Sequence, residues 1–283
     1  MCGIVGYTGN KPAQEIVIDS LKKLEYRGYD SSGIALHEGK LVFSKREGPI
    51  ANLEKVLGTS DSKMAIAHTR WATHGVPSDV NSHPHLSNDG KIAVVHNGTI
   101  DNYLDIKASL ENEGFDFLSE SDTEVIPNLL SKYYNGDLVK AMSKILSEIE
   151  GIYTIAAIHV DNPEQIVSVR QETPLVIGLG NGENYVASDI YAILKYTQQI
   201  IYPDDHQIVS VSPNEINVYG EDLSKIDYEV ETVEKYTEVA EKGGFEHFML
   251  KEIYEQPKAL QDSQTELFVN SPLENLHLNW KIG

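Results

Sequence analysis

The sequence predicts an α+β domain in which antiparallel sheets are covered by helices. Strand-like runs gather before residue 100 and again after residue 150, with the longer helical stretches between them. There is no regular alternation of strand and helix, so a doubly wound parallel sheet is disfavoured. With 41% hydrophobic and 23% charged residues over 283 positions, the chain is long enough for one large domain or two small ones.

The elements follow in order. Gly3, Ile4, Val5, Gly6 and Tyr7 read as a strand that begins almost at the terminus. Over 13–24 the apolar residues Ala13, Ile16, Val17, Leu21 and Leu24 recur at spacings of three and four, an amphipathic helix with Pro12 at its start and Lys22 and Lys23 outside. Short β-rich runs at 33–37, 41–44, 64–68 and 92–96 are separated by turn residues. Helices are expected over 102–113, 121–134 and 138–149, the second opened by a Ser121/Glu124 capping box. Strands resume at 153–160, 166–170, 175–179, 185–187, 200–202, 207–211 and 216–219. Residues 221–246 hold nine acids and three bases with little apolar periodicity, an exposed connection with a short helix at its end. No internal repeat is present.

Lys and Arg number 23 against 43 Asp and Glu, a formal charge of −20. Phosphate neutralisation needs clustered bases, so nucleic acid and anionic membrane surfaces are excluded as partners. No stretch free of Asp, Glu, Lys and Arg exceeds ten residues, against the roughly 18 apolar residues of a spanning helix. One cysteine makes no internal disulfide and the N-terminus lacks the pattern of a secretory signal, which fits a reducing cytoplasm.

That cysteine is Cys2. A free cysteine is commonly a small buried hydrophobe, but this one precedes a strand at the chain's end. Removal of Met1 would give it a free α-amine of pKa about 7.7 to 8.0, a base on the nucleophile's own residue. A histidine at His68, His74 or His83 is the alternative base. Five of the ten histidines fall within 29 residues, in HTRWATHG, NSHPH and HNGT, and His83 with His85 could line one side of a metal site. No second thiol, HExxH pattern or matching carboxylate spacing supports a metal, and none is assigned.

Arg70, between Thr69 and Trp71 at a strand's end, suits a substrate carboxylate held bidentately beneath an aromatic; a surface salt bridge is the plainer reading. Asn97 and Gly98 could converge a side-chain amide and a backbone N–H on one oxygen as an oxyanion hole, or simply form an Asn-Gly hairpin turn. Asp122 lies in the capping box and could serve the helix N-terminus alone.

The strings and their order carry more than any one of these. CGIVGY at Cys2, LEYRGYDSSGIA at Leu24, HTRWATHG at His68, NSHPH at Asn81, VVHNG at Val94, SDTEVI at Ser121, PLVIGLG at Pro174, ASD at Ala187 and MLKEIYEQP at Met249 resemble the class II, N-terminal-nucleophile glutamine amidotransferases. Within them the likeness is greatest to the glutaminase domain of glutamine:fructose-6-phosphate aminotransferases. YRGYD and KEIYEQP favour that group over the purine-pathway amidotransferase and asparagine synthetase.

The resemblance implies a four-layer αββα sandwich with two mainly antiparallel sheets, a glutaminase domain over 2–240, and over 241–283 the start of a linker toward sugar isomerase domains. It implies Cys2 as nucleophile, Asn97 and the Gly98 N–H as oxyanion donors, and L-glutamine as substrate. Arg70 would hold the α-carboxylate and Asp122 the α-ammonium. Thr73 and His74 would complete the pocket, Trp71 would lie on a loop closing over it, and Arg27 and His83 would support the site. No cofactor is implied. A fructose 6-phosphate site belongs to the isomerase domains, and a homodimer is compatible with the family. Thr99 and Asp101 stand where the family commonly has Ile and Glu. A retained Met1 would turn the catalytic amine into an amide and leave a glutamine-binding regulatory module; another N-terminal-nucleophile amidohydrolase is the further alternative.

Overall fold

Successive residues of a strand face opposite ways, and in this chain both faces of the central strands are apolar. A sheet with two apolar faces must be covered twice, which is how the architecture of this computed structural model arises. It describes residues 2–233, Phe245 and 248–270, with side chains of the last segment described from Leu250 to Gln261.

The first strands and helices are β1 (Gly3–Thr8), α1 (Ala13–Lys22), β2 (Ser31–His37), β3 (Leu41–Glu47), α2 (Ile50–Glu54) and β4 (Met64–Arg70). Next come β5 (His85–Leu86), β6 (Ile92–Ile100), α3 (Tyr103–Asn112), α4 (Val125–Tyr133) and α5 (Leu138–Leu146). The second run of strands is β7 (Gly151–His159), β8 (Ile166–Gln171), β9 (Val176–Leu179), β10 (Asn184–Ala187), β11 (Gln199–Ile201), β12 (Ile208–Val211), β13 (Ile216–Tyr219), β14 (Lys225–Ile226) and β15 (Glu231–Thr232). Single 3-10 turns lie at Glu25–Arg27, Asp122–Glu124 and Ile190–Ala192.

The chain divides into two compact units, Met1–Lys235 and Tyr236–Gly283. In the first, one sheet runs β15-β11-β9-β10-β1-β4-β2-β3 and the other β14-β13-β12-β8-β7-β6-β5. Every strand pair in both is antiparallel. Three apolar clusters separate four layers. Val5 and Tyr7 of β1 pack with Val17 and Leu21 of α1, while Ile4, just before Val5, points the other way, toward Val95 and Ile158 of the second sheet. On β6, Ala93 and Val95 face the first sheet, and Ile92 and Val94 face Ile126 and Leu130 of α4 and Met142 of α5. The order is helix, sheet, sheet, helix, as the resemblance implied. Each fully buried Ile or Leu contributes roughly 1.5 to 3 kcal/mol relative to exposure, so the alternation of Ile4 with Val5 ties β1 to both neighbouring layers.

Some local expectations are corrected. Asn97 and Gly98 are not a hairpin turn: they lie inside β6, paired with Thr154 and Tyr153 of β7. The Ser121/Glu124 box does not close. Ser121 accepts the Thr123 N–H at 3.3 Å, but Glu124 accepts the N–H groups of Leu118 at 2.9 Å and Ser119 at 2.7 Å. The first turn here is 3-10 rather than α, which redirects the carboxylate to the incoming loop. α2, β5, β14 and β15 depart from the expected elements: α2 is one and a half turns, the others are two-residue pairings, and β14 and β15 lie in the stretch read as an exposed connection. The short helix expected at the end of 221–246 lies outside the described residues. In the second unit, α6 (Phe248–Asn270) carries the whole MLKEIYEQP string, with Pro257 inside the helix.

Candidate active site

β1 and β4 are antiparallel neighbours, with Gly3 opposite Thr69. This register sets the start of β1 beside the end of β4, and so Cys2 beside Arg70 and Trp71. The terminus is held there. Ile4 donates its N–H to Ser188 Oγ at 3.0 Å and accepts the Ser188 N–H at 3.0 Å. Arg27 donates to the Ser188 carbonyl at 2.9 Å and pairs with Asp189 at 3.2 Å, so it braces the strand's anchor rather than the sulfur.

The Cys2 sulfur accepts the Trp71 N–H at 3.2 Å, and its thiol lies 3.6 Å from the Trp71 carbonyl. Burial pushes the thiol pKa up and the Trp71 N–H opposes it. A thiol so placed needs a base to ionise. Among the described residues the sulfur's hydrogen-bond partners are both Trp71 backbone groups, and His68, one of the alternative bases, bonds Asn97 at 3.0 Å.

Arg70 is 3% exposed, and it makes no ion pair among the described residues, which removes the surface salt-bridge reading. One of its terminal nitrogens, Nη2, donates to the His74 carbonyl; the other, Nη1, is buried and has no partner. Burial lowers the guanidinium pKa, while Cys2 and Asp122 lie close enough to oppose that shift. A buried donor without a partner is costly, and here it belongs to a cation. The loop after β4 is shaped by the YRGYD string. A Cβ on Gly28 would lie 2.8 Å from the Arg70 carbonyl carbon, and Asp30 holds the Ala72 N–H at 3.0 Å.

Asn97 comes from the other sheet and donates its Nδ2 to the Cys2 carbonyl at 3.3 Å. Gly98 beside it has φ of +112°, a conformation that needs glycine. Asp122 is buried, accepts the Ile100 N–H at 2.9 Å, and lies 3.8 Å from His74 Nδ1. The His74 ring stands edge-on to Tyr103 at 5.3 Å. Trp71 is 45% exposed and meets Tyr29 edge-on at 5.7 Å. Thr73 is exposed on the same loop.

Behind the site lies a group of buried histidines. His68 stacks on His83 at 4.2 Å, and His83 lies edge-on to His85 at 5.1 Å and parallel to His96 at 6.3 Å. Burial drives the His68 pKa down to about 3, and lowers those of His83, His85 and His96. In each of the four, burial favours the neutral imidazole over the cation. Among the described residues no three His, Cys, Asp or Glu side chains gather in a metal-holding group. Thr123 is bonded to both His83 and His96, and its one signal in the sequence is its place in SDTEVI beside Asp122.

The cluster thus presents a thiol, an amide donor, a half-satisfied guanidinium and a buried carboxylate, the groups needed to hold a zwitterion with an amide near the sulfur. A family model described as a glutamine amidotransferase domain matches residues 68–195. The glutamine–fructose-6-phosphate aminotransferase (isomerizing) of Caldanaerobacter subterraneus subsp. tengcongensis is 50% identical, over 98% of this chain and 47% of that protein. Its namesake from Aquifex aeolicus is 51% identical, over 93% of this chain and 45% of its own length. The chain therefore spans about half the length of the curated relatives it matches. Among solved structures, the glutamine phosphoribosylpyrophosphate amidotransferase of B. subtilis, complexed with ADP and GMP, superposes with a TM-score of 0.68 at 26% identity, over 79% of this chain and 50% of its own.

Proposed function

The chain belongs to the class II glutamine amidotransferases, and we propose that it hydrolyses L-glutamine to L-glutamate and ammonia through a γ-glutamyl thioester on Cys2. The observation that carries this reading is the buried Arg70 Nη1 without a partner, on a guanidinium close to both Cys2 and Asp122. An α-carboxylate satisfies the first, and an α-ammonium suits the second.

Removal of Met1 frees the Cys2 α-amine, whose pKa of about 7.7 to 8.0 leaves part of it neutral near pH 7.5. The amine takes the thiol proton, directly or through water, and the sulfur attacks the side-chain carboxamide carbon. The oxyanion is held by Asn97 Nδ2 and the Gly98 N–H. The protonated amine then delivers its proton to the departing nitrogen, the C–N bond breaks, and ammonia leaves. Water attacks the thioester by the same route and releases glutamate. Arg70 and Asp122 fix the substrate's charged end, Thr73 and His74 complete the pocket, and the Trp71 loop covers it. Arg27 holds the Ser188 and Asp189 anchor of β1, and His83 supports Asp122 through Thr123.

The likeness to glutamine–fructose-6-phosphate aminotransferases supports a pathway reading: this domain supplies ammonia for glucosamine 6-phosphate synthesis. The acceptor, fructose 6-phosphate, would be bound by sugar isomerase domains of the full-length protein. The test is ammonia release from glutamine, asparagine and simple amides, by protein whose N-terminus has been sequenced. Loss of Met1 and turnover of glutamine alone are expected. A processed chain that releases no ammonia from glutamine, or prefers asparagine, overturns the reading.

A further inference from the structure

We infer that His68 is a positioning residue that dictates which way the Asn97 amide faces. A carboxamide has two orientations of almost equal shape, and only its partners distinguish them. The Cys2 carbonyl can only accept, so the Asn97 group at 3.3 Å from it is the NH2. The Asn97 oxygen therefore faces His68 Nε2 at 3.0 Å, and that nitrogen must carry the ring proton. The opposite tautomer would favour the flipped amide, setting an oxygen where an N–H is needed; an oxygen repels an oxyanion.

The surroundings hold His68 in this state. It is fully buried, and its pKa of about 3 keeps the ring neutral at ordinary pH. Its face is fixed against His83, 4.2 Å away and inclined by 27°. His83 in turn has one proton arrangement. Its Nδ1 accepts the His96 N–H at 3.3 Å, which leaves Nε2 to donate to Thr123 Oγ1 at 3.1 Å. The Thr123 hydroxyl then donates to His96 Nδ1 at 2.8 Å. The stack thus connects the turn that carries Asp122 to the residue that orients Asn97. This inference deepens the proposed function and rests on it, because the orientation matters catalytically only if Asn97 meets an oxyanion.

The test is a double-mutant cycle on kcat and KM for glutamine, with the full chain. His68→Leu removes the donor and should lower kcat by about 10²-fold, the cost of one oxyanion donor, with KM within about threefold. His68→Gln retains an N–H donor and should recover part of the loss. In an Asn97→Ala background, His68→Leu should cost nothing further, because its effect runs through Asn97. An equal loss in both backgrounds, or a change confined to KM, overturns the proposal. If His68→Leu does not fold, nitrogen NMR of the wild-type imidazoles decides: a proton on Nε2 that does not titrate between about pH 5 and 8 supports it, and a proton on Nδ1 overturns it. Wild-type chain that turns over no glutamine sinks the glutaminase reading instead, and the NMR result still judges His68.

Discussion

A Cβ on Gly98 would run into the carbonyl oxygen of Ile152 and lie 2.8 Å from its carbonyl carbon. Gly98 sits inside β6 and Ile152 inside β7, so the missing side chain is what lets the two strands pair here. The positive φ of Gly98 adds a second penalty for any L side chain, of order 1 to 3 kcal/mol. Gly98→Ala is therefore expected to lower unfolding free energy by about 2 kcal/mol or more and to reduce glutamine turnover together with it. Urea unfolding followed by circular dichroism, alongside an ammonia assay, checks both. A variant of unchanged stability would mean that β6 and β7 can separate without cost.

For Cys2→Ala the two readouts should part. The side chain is only partly buried, and among the described residues it bonds the Trp71 backbone alone. Ammonia release should fall to background while the melting temperature changes little. Turnover near that of the wild type would remove Cys2 as nucleophile.

Arg70→Lys separates charge from geometry. Lysine keeps the positive charge but not the fork that serves the His74 carbonyl with one nitrogen and leaves the other open. Hydrogen bonds to charged groups are worth about 1.5 to 3 kcal/mol, so KM for glutamine should rise by about 10- to 100-fold, with a smaller loss in kcat. Steady-state kinetics check this, and an unchanged KM would mean that the carboxylate is bound elsewhere.

Much of this site could be read from the sequence, and the parts that could not share a cause. Cys2, Arg70 and Asp122 belong to strings whose order survives in one dimension, and α1 announces itself by the spacing of Ile16, Val17 and Leu21. The Asn97-Gly98 pair looked like a turn because its composition is a local signal, whereas the strand conformation is imposed by β7 across the pairing. Glu124 sits three residues after Ser121, yet its carboxylate turns to Leu118 and Ser119 because the turn is 3-10. His68 and Asn97 are 29 positions apart on different sheets, so no spacing rule relates them until the sheets are stacked.

The buried histidines predict how stability responds to acid. In the folded chain His68, His83, His85 and His96 all have pKa values below their ordinary value near 6.5, because burial disfavours the cation. In the unfolded chain they titrate normally. Below about pH 6.5 the unfolded state binds protons that the folded state refuses, so their contribution is fully present above that pH and is lost as pH falls, toward about 3 for His68. Each histidine fully in this window contributes a slope of about 1.4 kcal/mol per pH unit. Between about pH 7.5 and 5.5, where ordinary carboxylates remain ionised, urea unfolding should therefore show stability falling steeply on the acid side. His85→Leu should flatten that fall by one histidine's share whatever it does to stability at pH 7.5. A profile that stays level through this range would mean that these imidazoles reach water in the folded protein.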